Sequence, residues 1–335
     1  MKDVTVILRK ATGSAAWDEQ AARVGGGFYH CYASVMYYAT GLAAEPLFVK
    51  ALDASGACVG VAAGTLSSSK VWPFSRYCRR AELPSLPVTA DGDADLERAI
   101  LERTEGELRR RGVFRVDVAA YESPHSAALL GALAYQLVPR TEFFIDLGRS
   151  LDDIRAAFSK GRRGDIRKAE RLGVVIREQT TPETVDLTYE LHDYSMSRRG
   201  VAARDAPERF RRARRDLAAS GRVKVFVARL GGEPVDAMLC GLFGGKACNL
   251  VGGTNQAGYE SGAPTLRMWE GIKYYHALGA RTFNFGGAKR EETGLYQFKT
   301  GFGPTVVDMP GGSKVLSRAG ARLDGLRTLL RKVRP

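Results

Sequence analysis

Apolar and polar positions along 45–66, "EPLFVKALDASGACVGVAAGTL", read as an apolar strand that meets an Asp-Ala-Ser-Gly turn and returns as a second strand. The same order recurs over 223–243, "VKVFVARLGGEPVDAMLCGLF", with Gly-Gly-Glu-Pro at the turn. Each hairpin is followed by a helix and a further strand. The first of these, "ADLERAILERTEGELRRRGVFRVDVAAY" (94–121), ends its helix at Gly112, and the second, "APTLRMWEGIKYYHALGARTFNFGGA" (263–288), at Gly279. The repeat is one of layout rather than identity. Strands and helices interleaved twice in this way predict two similar α/β domains, each a mixed sheet flanked by helices. The boundary is expected near Leu147 to Leu151, where "TEFFIDLGRSLDD" passes from strand into a helix start, giving domains over 1–148 and 149–311.

The carboxyl end, 312–335, departs from both halves. Leu316, Ala319, Leu323, Leu326, Leu330 and Val333 recur three and four apart, which predicts an amphipathic helix whose other faces carry Arg318, Arg322, Arg327, Arg331, Lys332 and Arg334. Packing back on the body is the expected use of that stripe. A peripheral contact with an anionic membrane surface or a nucleic-acid backbone is the sharper alternative.

One short stretch breaks its own pattern. In "GLYQFKTGFGP" (294–304), Leu295, Phe298, Lys299 and Phe302 share one face of a short helix that Gly303 and Pro304 end. Lys299 therefore sits on the inward side. A buried ammonium is costly unless something anionic or hydrogen-bonding meets it, so the position asks for either an internal partner or a substrate.

Composition bounds the reading. A chain of 335 residues with 44% apolar content can bury a core in each of two domains. No apolar run approaches the roughly 18 residues of a membrane-spanning helix, and the start, "MKDVTVILRKATGS", reads as a strand rather than a signal peptide. A cytosolic monomer is expected. Cys31, Cys58, Cys78, Cys240 and Cys248 show no ligand spacing, so reduced, mostly buried thiols and no metal are expected. His30, His125, His192 and His276 form no motif. The formal net charge of +13 points to an anionic partner.

That charge is concentrated. Segment 154–178 holds Arg155, Lys160, Arg162, Arg163, Arg167, Lys168 and Arg171, and segment 197–216 holds Arg198, Arg199, Arg204, Arg209, Arg211, Arg212, Arg214 and Arg215. Most such residues line solvated helix faces. Arg198 extends an apolar stripe through Leu187, Leu191 and Tyr194, so it joins Lys299 as an inward cation suited to gripping phosphate or carboxylate. Between them, "GGTNQAGYESGAPTLRMW" (252–269) runs from a strand into a helix whose amino terminus offers N–H groups to an anion. Acyl-CoA N-acyltransferases carry a Gln/Arg-x-x-Gly-x-Gly/Ala loop here, and "QAGYESGA" misses that spacing.

The order "RRGDIRKAERLGV", "YELHDYSMSRRG", "GAPTLRMWEGIKYYHALGARTFNFGGA" and "GLYQFKTGFG" resembles the Fem family, which transfers amino acids from aminoacyl-tRNA to peptidoglycan precursors. Related enzymes in antibiotic pathways modify small peptides or aminoglycoside-like acceptors. The resemblance is best from about 140 to 308 and rests on the closing Phe-Lys-x-x-Phe-Gly signature. It implies two tandem GNAT-like domains, aminoacyl-tRNA as co-substrate with no other cofactor, and a peptide-like or nucleotide-linked acceptor. It also implies that Lys299 beside Phe298 is the catalytic lysine and that Arg198 or Arg199 binds the acceptor. Lys160, Arg162, Arg163, Arg167 and Lys168 would contact tRNA. The chain lacks the coiled-coil arm of some members. Tyr37 or Tyr38 stands where members that bind nucleotide-linked precursors tend to carry a basic residue.

An aminoacyl ester is already activated, so transfer to an amine needs positioning, removal of a proton and support for the developing oxyanion. The expected role of Lys299 is a hydrogen bond to the ester carbonyl or the terminal ribose, with Arg198 orienting an anionic acceptor. Asp236, Glu260 and Glu291 are candidate bases. Tyr259, Trp269, Tyr274, Tyr275 and Tyr296 are candidates for lining the acceptor site or stacking the terminal adenosine, core packing being the commoner use of each. The competing expectations are an acyl-CoA N-acyltransferase of the same fold and a non-enzymatic RNA- or membrane-binding protein.

Overall fold

The computed structural model describes residues 4–9, 13–68, 78–201 and 207–333, and side chains as far as Leu326. The chain divides into two compact units, Met1–Arg140 with Asp308–Pro335, and Thr141–Val307.

The first unit contains β1 (Thr5–Arg9), α1 (Ser14–Arg23), α2 (Tyr32–Leu42), β2 (Glu45–Leu52), β3 (Cys58–Ser67), β4 (Arg79–Leu83), β5 (Val88–Thr89), α3 (Ala94–Arg110), β6 (Val113–Val118), α4 (Ser126–Ala132) and β7 (Gln136–Val138). The second contains β8 (Thr141–Asp146), α5 (Leu151–Ala156), α6 (Lys160–Arg171), β9 (Val175–Glu178), α7 (Pro182–Ser197), α8 (Glu208–Ala219), β10 (Val223–Leu230), β11 (Glu233–Phe243), β12 (Lys246–Thr254), α9 (Gln256–Ser261), α10 (Ala263–Ala277), β13 (Thr282–Ala288), α11 (Thr293–Thr300) and β14 (Thr305–Asp308). The chain then returns to the first unit with β15 (Gly311–Val315) and α12 (Arg318–Val333).

The strand orders are β1-β2-β3-β4-β6-β15-β7, with β5 beside β3, and β14-β8-β13-β12-β11-β10-β9. Both hairpins read from the sequence are present, β2 with β3 and β10 with β11, each antiparallel. Both helix ends hold as well. Asp93 caps α3 by accepting from the amides of Asp95 and Leu96, and Gly112 ends that segment at φ 76. Gly279 does the same after α10 at φ 71.

Two expectations differ in place. Strand β8 pairs with β13 in the second sheet, so the division falls before Thr141 rather than near Leu147 to Leu151. Residues 311–315, expected as the last residue of the second domain and the start of the carboxyl-terminal helical segment, form instead a strand paired with β6 and β7 in the first sheet. In α12 the buried positions are Gly320 and Asp324, the latter ion-paired with Arg80, while Ala319 is exposed and Leu326 is 50% exposed. The inward face is thus rotated from the apolar stripe, because an ion pair rather than leucine packing holds the described part of the helix. The stripe's Leu330 and Val333 lie beyond the described side chains, and Arg204 lies outside the described residues.

Among the described residues, β4 with β6 in the first unit and β12 with β13 in the second are parallel neighbours that behave differently. Strands β4 and β6 stay paired from Arg79 to Leu83, and the ladder continues through Ala119 N–H to Leu83 O at 2.9 Å and Tyr121 N–H to Pro84 O at 2.8 Å. Strands β12 and β13 pair only at Lys246–Thr282, Ala247–Phe283 and Cys248–Asn284. Beyond that point the register of β12 slips at Leu250 and that of β13 slips between Asn284 and Gly287. The ladder between them ends there, so of these two described pairs β12 and β13 leave strand backbone open between them.

Helices cover both faces of the second sheet. On one side Gly271 of α10 packs on Met238. On the other, Ser195 Oγ of α7 accepts from Thr254 N–H at 2.9 Å and lies 3.0 Å from Thr254 O. A Cβ on Gly253 would lie 2.0 Å from the His192 amide nitrogen, so only glycine lets α7 approach β12 this closely. Gly253→Ala is expected to destabilise the chain by about 1–3 kcal/mol or more, since backbone rather than a flexible side chain must move. A lowered urea midpoint checks this, and an unchanged one would show that α7 is loosely seated. Among the described residues no helix is long and apolar enough to cross a membrane. All five cysteines are free, and Cys58 alone is not buried.

Candidate active site

The opening between β12 and β13 is walled by polar groups that apolar strand patterning does not require. Asn284, 2% exposed, donates from Nδ2 to Glu142 Oε2 at 2.9 Å and accepts from Gly286 N–H at 2.8 Å. This holds the slipped segment of β13 in a turn that places Gly286 at φ 75, a conformation suited to glycine. Asn249 follows the last residue of β12 paired with β13, and its main-chain oxygen lies beside Gly286. Its side-chain oxygen is buried and has no hydrogen-bond partner among the described residues.

Lys299 enters from α11. It is 6% exposed, its Nζ donates to Gly287 O at 2.7 Å, and it lies 5.6 Å from the centre of the Phe143 ring. A Cβ on Gly286 would stand 3.8 Å from Lys299 Nζ on one side and 3.4 Å from Asn249 O on the other. The missing side chain leaves a notch with a cationic donor and a carbonyl acceptor across it. The expected inward position of Lys299 is therefore present, and a strand carbonyl beside the opening receives its ammonium.

The closing motif around Lys299 is held from α5 and α6. Phe298 and Phe302 contact one another edge-on at 5.2 Å, and Phe302 is fully buried against Phe158 and Phe285. Gly303, at φ 64, accepts no side chain because a Cβ would lie 2.5 Å from Ala157 O. Arg162 lies over Phe298 at 4.6 Å, pairs with Asp165 at 2.8 Å and donates to Thr265 Oγ1 at 3.3 Å. Expected as a tRNA contact, it joins α6, α10 and the Lys299 helix, α11. Arg163 is likewise engaged, donating to Ala156 O and Phe158 O at 2.9 and 2.7 Å. Lys160, Arg167 and Lys168 are exposed.

The amino terminus of α10, where an anion was expected to be offered N–H groups, is already occupied. A Cβ on Gly262 would meet Asp165 O at 2.8 Å, and Thr265 Oγ1 donates to Asp165 Oδ2 at 3.2 Å. Pro264 has no N–H, while the Gly262 and Thr265 amides donate to Tyr259 O and Gly262 O. A carboxylate of α6 thus sits where the helix dipole would favour an incoming anion.

Arg198 departs from its expected inward position. The buried line of α7 runs through Val185, Thr188, Leu191 and Ser195, and Tyr194 is 42% exposed. Thr188 and Ser195 can turn inward because their hydroxyls donate to the carbonyls of Thr184 and Leu191 at 2.8 and 3.0 Å. Arg198 and Arg199 are exposed, and the Arg198 guanidinium lies 4.3 Å from the Tyr259 ring centre. Trp269, 5% exposed, packs edge-on to Phe158 at 5.4 Å and belongs to the core rather than to a lining. Tyr296 is half-buried and edge-on to Phe143 at 5.2 Å. Tyr38 belongs to the first unit, half-buried on α2 against Tyr37 at 5.1 Å.

Of the candidate bases, Glu260 is exposed and accepts from Gln256 at 2.6 Å, and Glu291 is exposed. Asp236 is fully buried and ion-paired with Arg267, itself 4% exposed. Burial pushes the Asp236 carboxyl up to about 6, against the opposing pull of the Arg267 guanidinium. Occupied in this way, it holds β11 to α10. The sequence reading passed over Arg267 and Asn249. The first carried the signal that betrayed Lys299, a cation inside an apolar helix run, and the second had none.

Residues 156–300 match the family model of the acetyltransferase (GNAT) domain. No curated protein sequence matches the chain. Its fold is similar to that of FemX, at 13% identity and TM-score 0.75, covering 95% of this chain and 99% of that one. It is also similar to the C-terminal domain of a putative lysylphosphatidylglycerol synthetase from Agrobacterium fabrum, at 14% identity and TM-score 0.55, covering 95% and 97% of the two chains. A tandem GNAT protein from the clavulanic acid biosynthesis pathway matches at 13% identity and TM-score 0.54, over 94% and 99%. The expected tandem GNAT-like α/β fold, with a mixed sheet in each unit, is therefore present, and the likeness to FemX extends over the whole fold.

Proposed function

We propose that the chain is an aminoacyltransferase that moves an amino acid from aminoacyl-tRNA to an amine of a small peptide, antibiotic intermediate or peptidoglycan precursor. The observation that carries this reading is Lys299, a buried ammonium beside the only parallel strand pair that parts among the described residues. There it can donate to the ester carbonyl or ribose oxygen as negative charge develops. The acceptor nitrogen attacks the carbonyl carbon, the carbon–oxygen bond to the terminal ribose breaks, and the released ribose oxygen gains a proton as the amine loses one. The fold shared with FemX and with a putative lysylphosphatidylglycerol synthetase supports an aminoacyl donor. The crowding of the α10 amino terminus by Asp165 disfavours the CoA-dependent alternative, because a pyrophosphate placed there would have to displace a carboxylate already hydrogen-bonded to Thr265 and paired with Arg162.

The test is incubation with total charged tRNA and candidate acceptors, read by mass spectrometry. The expected result is an acceptor heavier by one amino-acid residue, and no product from any acceptor would overturn the reading. Exposed Lys160, Arg167 and Lys168 are assigned to the tRNA backbone. Changing all three to Gln should weaken tRNA binding at low salt. It should also flatten the slope of log affinity against log salt by roughly 0.7 to 0.9 for each phosphate that is no longer neutralised. An unchanged slope would place the tRNA backbone elsewhere on the protein.

A further inference from the structure

We infer that the notch at Gly286 reads the α-amino group of the transferred amino acid, with Asn249 as the residue that recognises it. This rests on the aminoacyl-transfer reading and adds a specificity determinant to that site. Three independent features point to it. The Asn249 side-chain oxygen is buried without a hydrogen-bond partner among the described residues, an arrangement that a folded chain retains at a cost unless a ligand supplies the donor. The main-chain carbonyl of the same residue and the Lys299 ammonium flank one point, 3.4 and 3.8 Å from where a Gly286 Cβ would stand. That point lies just beyond Cys248–Asn284, the last paired residues of β12 and β13, where ladder bonds no longer fill the space.

A ligand matched to this notch presents an acceptor toward the ammonium and, a few ångströms away, an N–H donor toward Asn249. An α-amino ester does both, its carbonyl oxygen meeting Lys299 Nζ and its amino group meeting the asparagine oxygens. The nearby ammonium favours the neutral form of that amino group, which still donates. A simple acyl ester supplies the first contact and leaves the buried oxygen unmet. A site built to bond a substrate N–H discriminates strongly against the analogue lacking it.

The experiment compares the aminoacyl-tRNA that the transfer assay identifies with its des-amino acyl-tRNA, a smaller donor that size cannot exclude. Wild-type protein should prefer the amino form by about 10-fold or more. Asn249→Leu should bring the two donors to parity by slowing the amino form alone, and Asn249→Asp, which keeps an acceptor, should retain the preference. Thermal unfolding of both variants reports whether they fold. Equal use of both donors by wild type, or a preference that survives Asn249→Leu, overturns the assignment while leaving aminoacyl transfer standing. Equal slowing of both donors by Asn249→Leu overturns it too, by placing the oxygen on the acceptor amine. No transfer by wild type from either donor overturns both readings.

Discussion

Lys299→Met should lower turnover by roughly 100-fold or more while leaving the fold intact. Methionine is close to lysine in length and apolar, so it can fill the space beside Phe143 without burying a charge. What it removes is the donor at the strand opening. The Gly287 carbonyl loses its 2.7 Å hydrogen bond, which costs stability on the order of 1–3 kcal/mol at most. The two roles of the lysine therefore separate by measurement. A catalytic ammonium gives a large loss of turnover with a small shift in melting temperature, whereas a merely structural one gives the shift with near-normal turnover. Lys299→Arg should not rescue, because a planar guanidinium cannot occupy the position of a compact ammonium in a site 6% exposed.

The largest effect on stability is expected at Asp236 and Arg267. Asp236→Leu leaves a guanidinium, whose Nη1 already lacks a partner among the described residues, buried without its carboxylate. A loss of about 3–5 kcal/mol is expected. Arg267→Met should cost less near neutrality, since a carboxyl pushed up to about 6 can be protonated when its partner is gone. The sign of the pH dependence follows. A folded value above the ordinary 3.8 means that the folded chain holds this proton more tightly than the unfolded chain does. The stability so gained is complete below about 4 and is lost as the pH rises through about 6. Removing Arg267 raises the carboxyl further and carries that window upward, so Arg267→Met should gain stability relative to wild type as the pH is lowered from 7 to 5. Urea midpoints across that range check it. The double variant Asp236→Leu with Arg267→Met should recover much of the single losses, because no unpaired charge remains. Additive losses would show that the pair contributes little to holding β11 to α10.

What could be read from the chain and what could not divide along physical lines. Hairpins at 45–66 and 223–243 and helices ending at Gly112 and Gly279 are set by local turn and capping chemistry, so they were legible. Lys299 was legible because one cation interrupts an otherwise apolar helix face. The return of β15 to the first sheet was not, since edge pairing at long separation leaves no local mark. Arg198 was misplaced because Thr188 and Ser195 look polar in sequence but satisfy their hydroxyls within α7 and turn inward. Asn249 was invisible. Its significance comes from where β12 and β13 part, a property of two strands whose residues are far apart in the chain.

The central claim, that an aminoacyl ester on tRNA is the donor, is tested most directly by following radiolabel from charged tRNA and from acetyl-CoA into the same acceptor, with and without ribonuclease. Label is expected from charged tRNA alone, abolished when ribonuclease is added first. Label arriving from acetyl-CoA and indifferent to ribonuclease would contradict it.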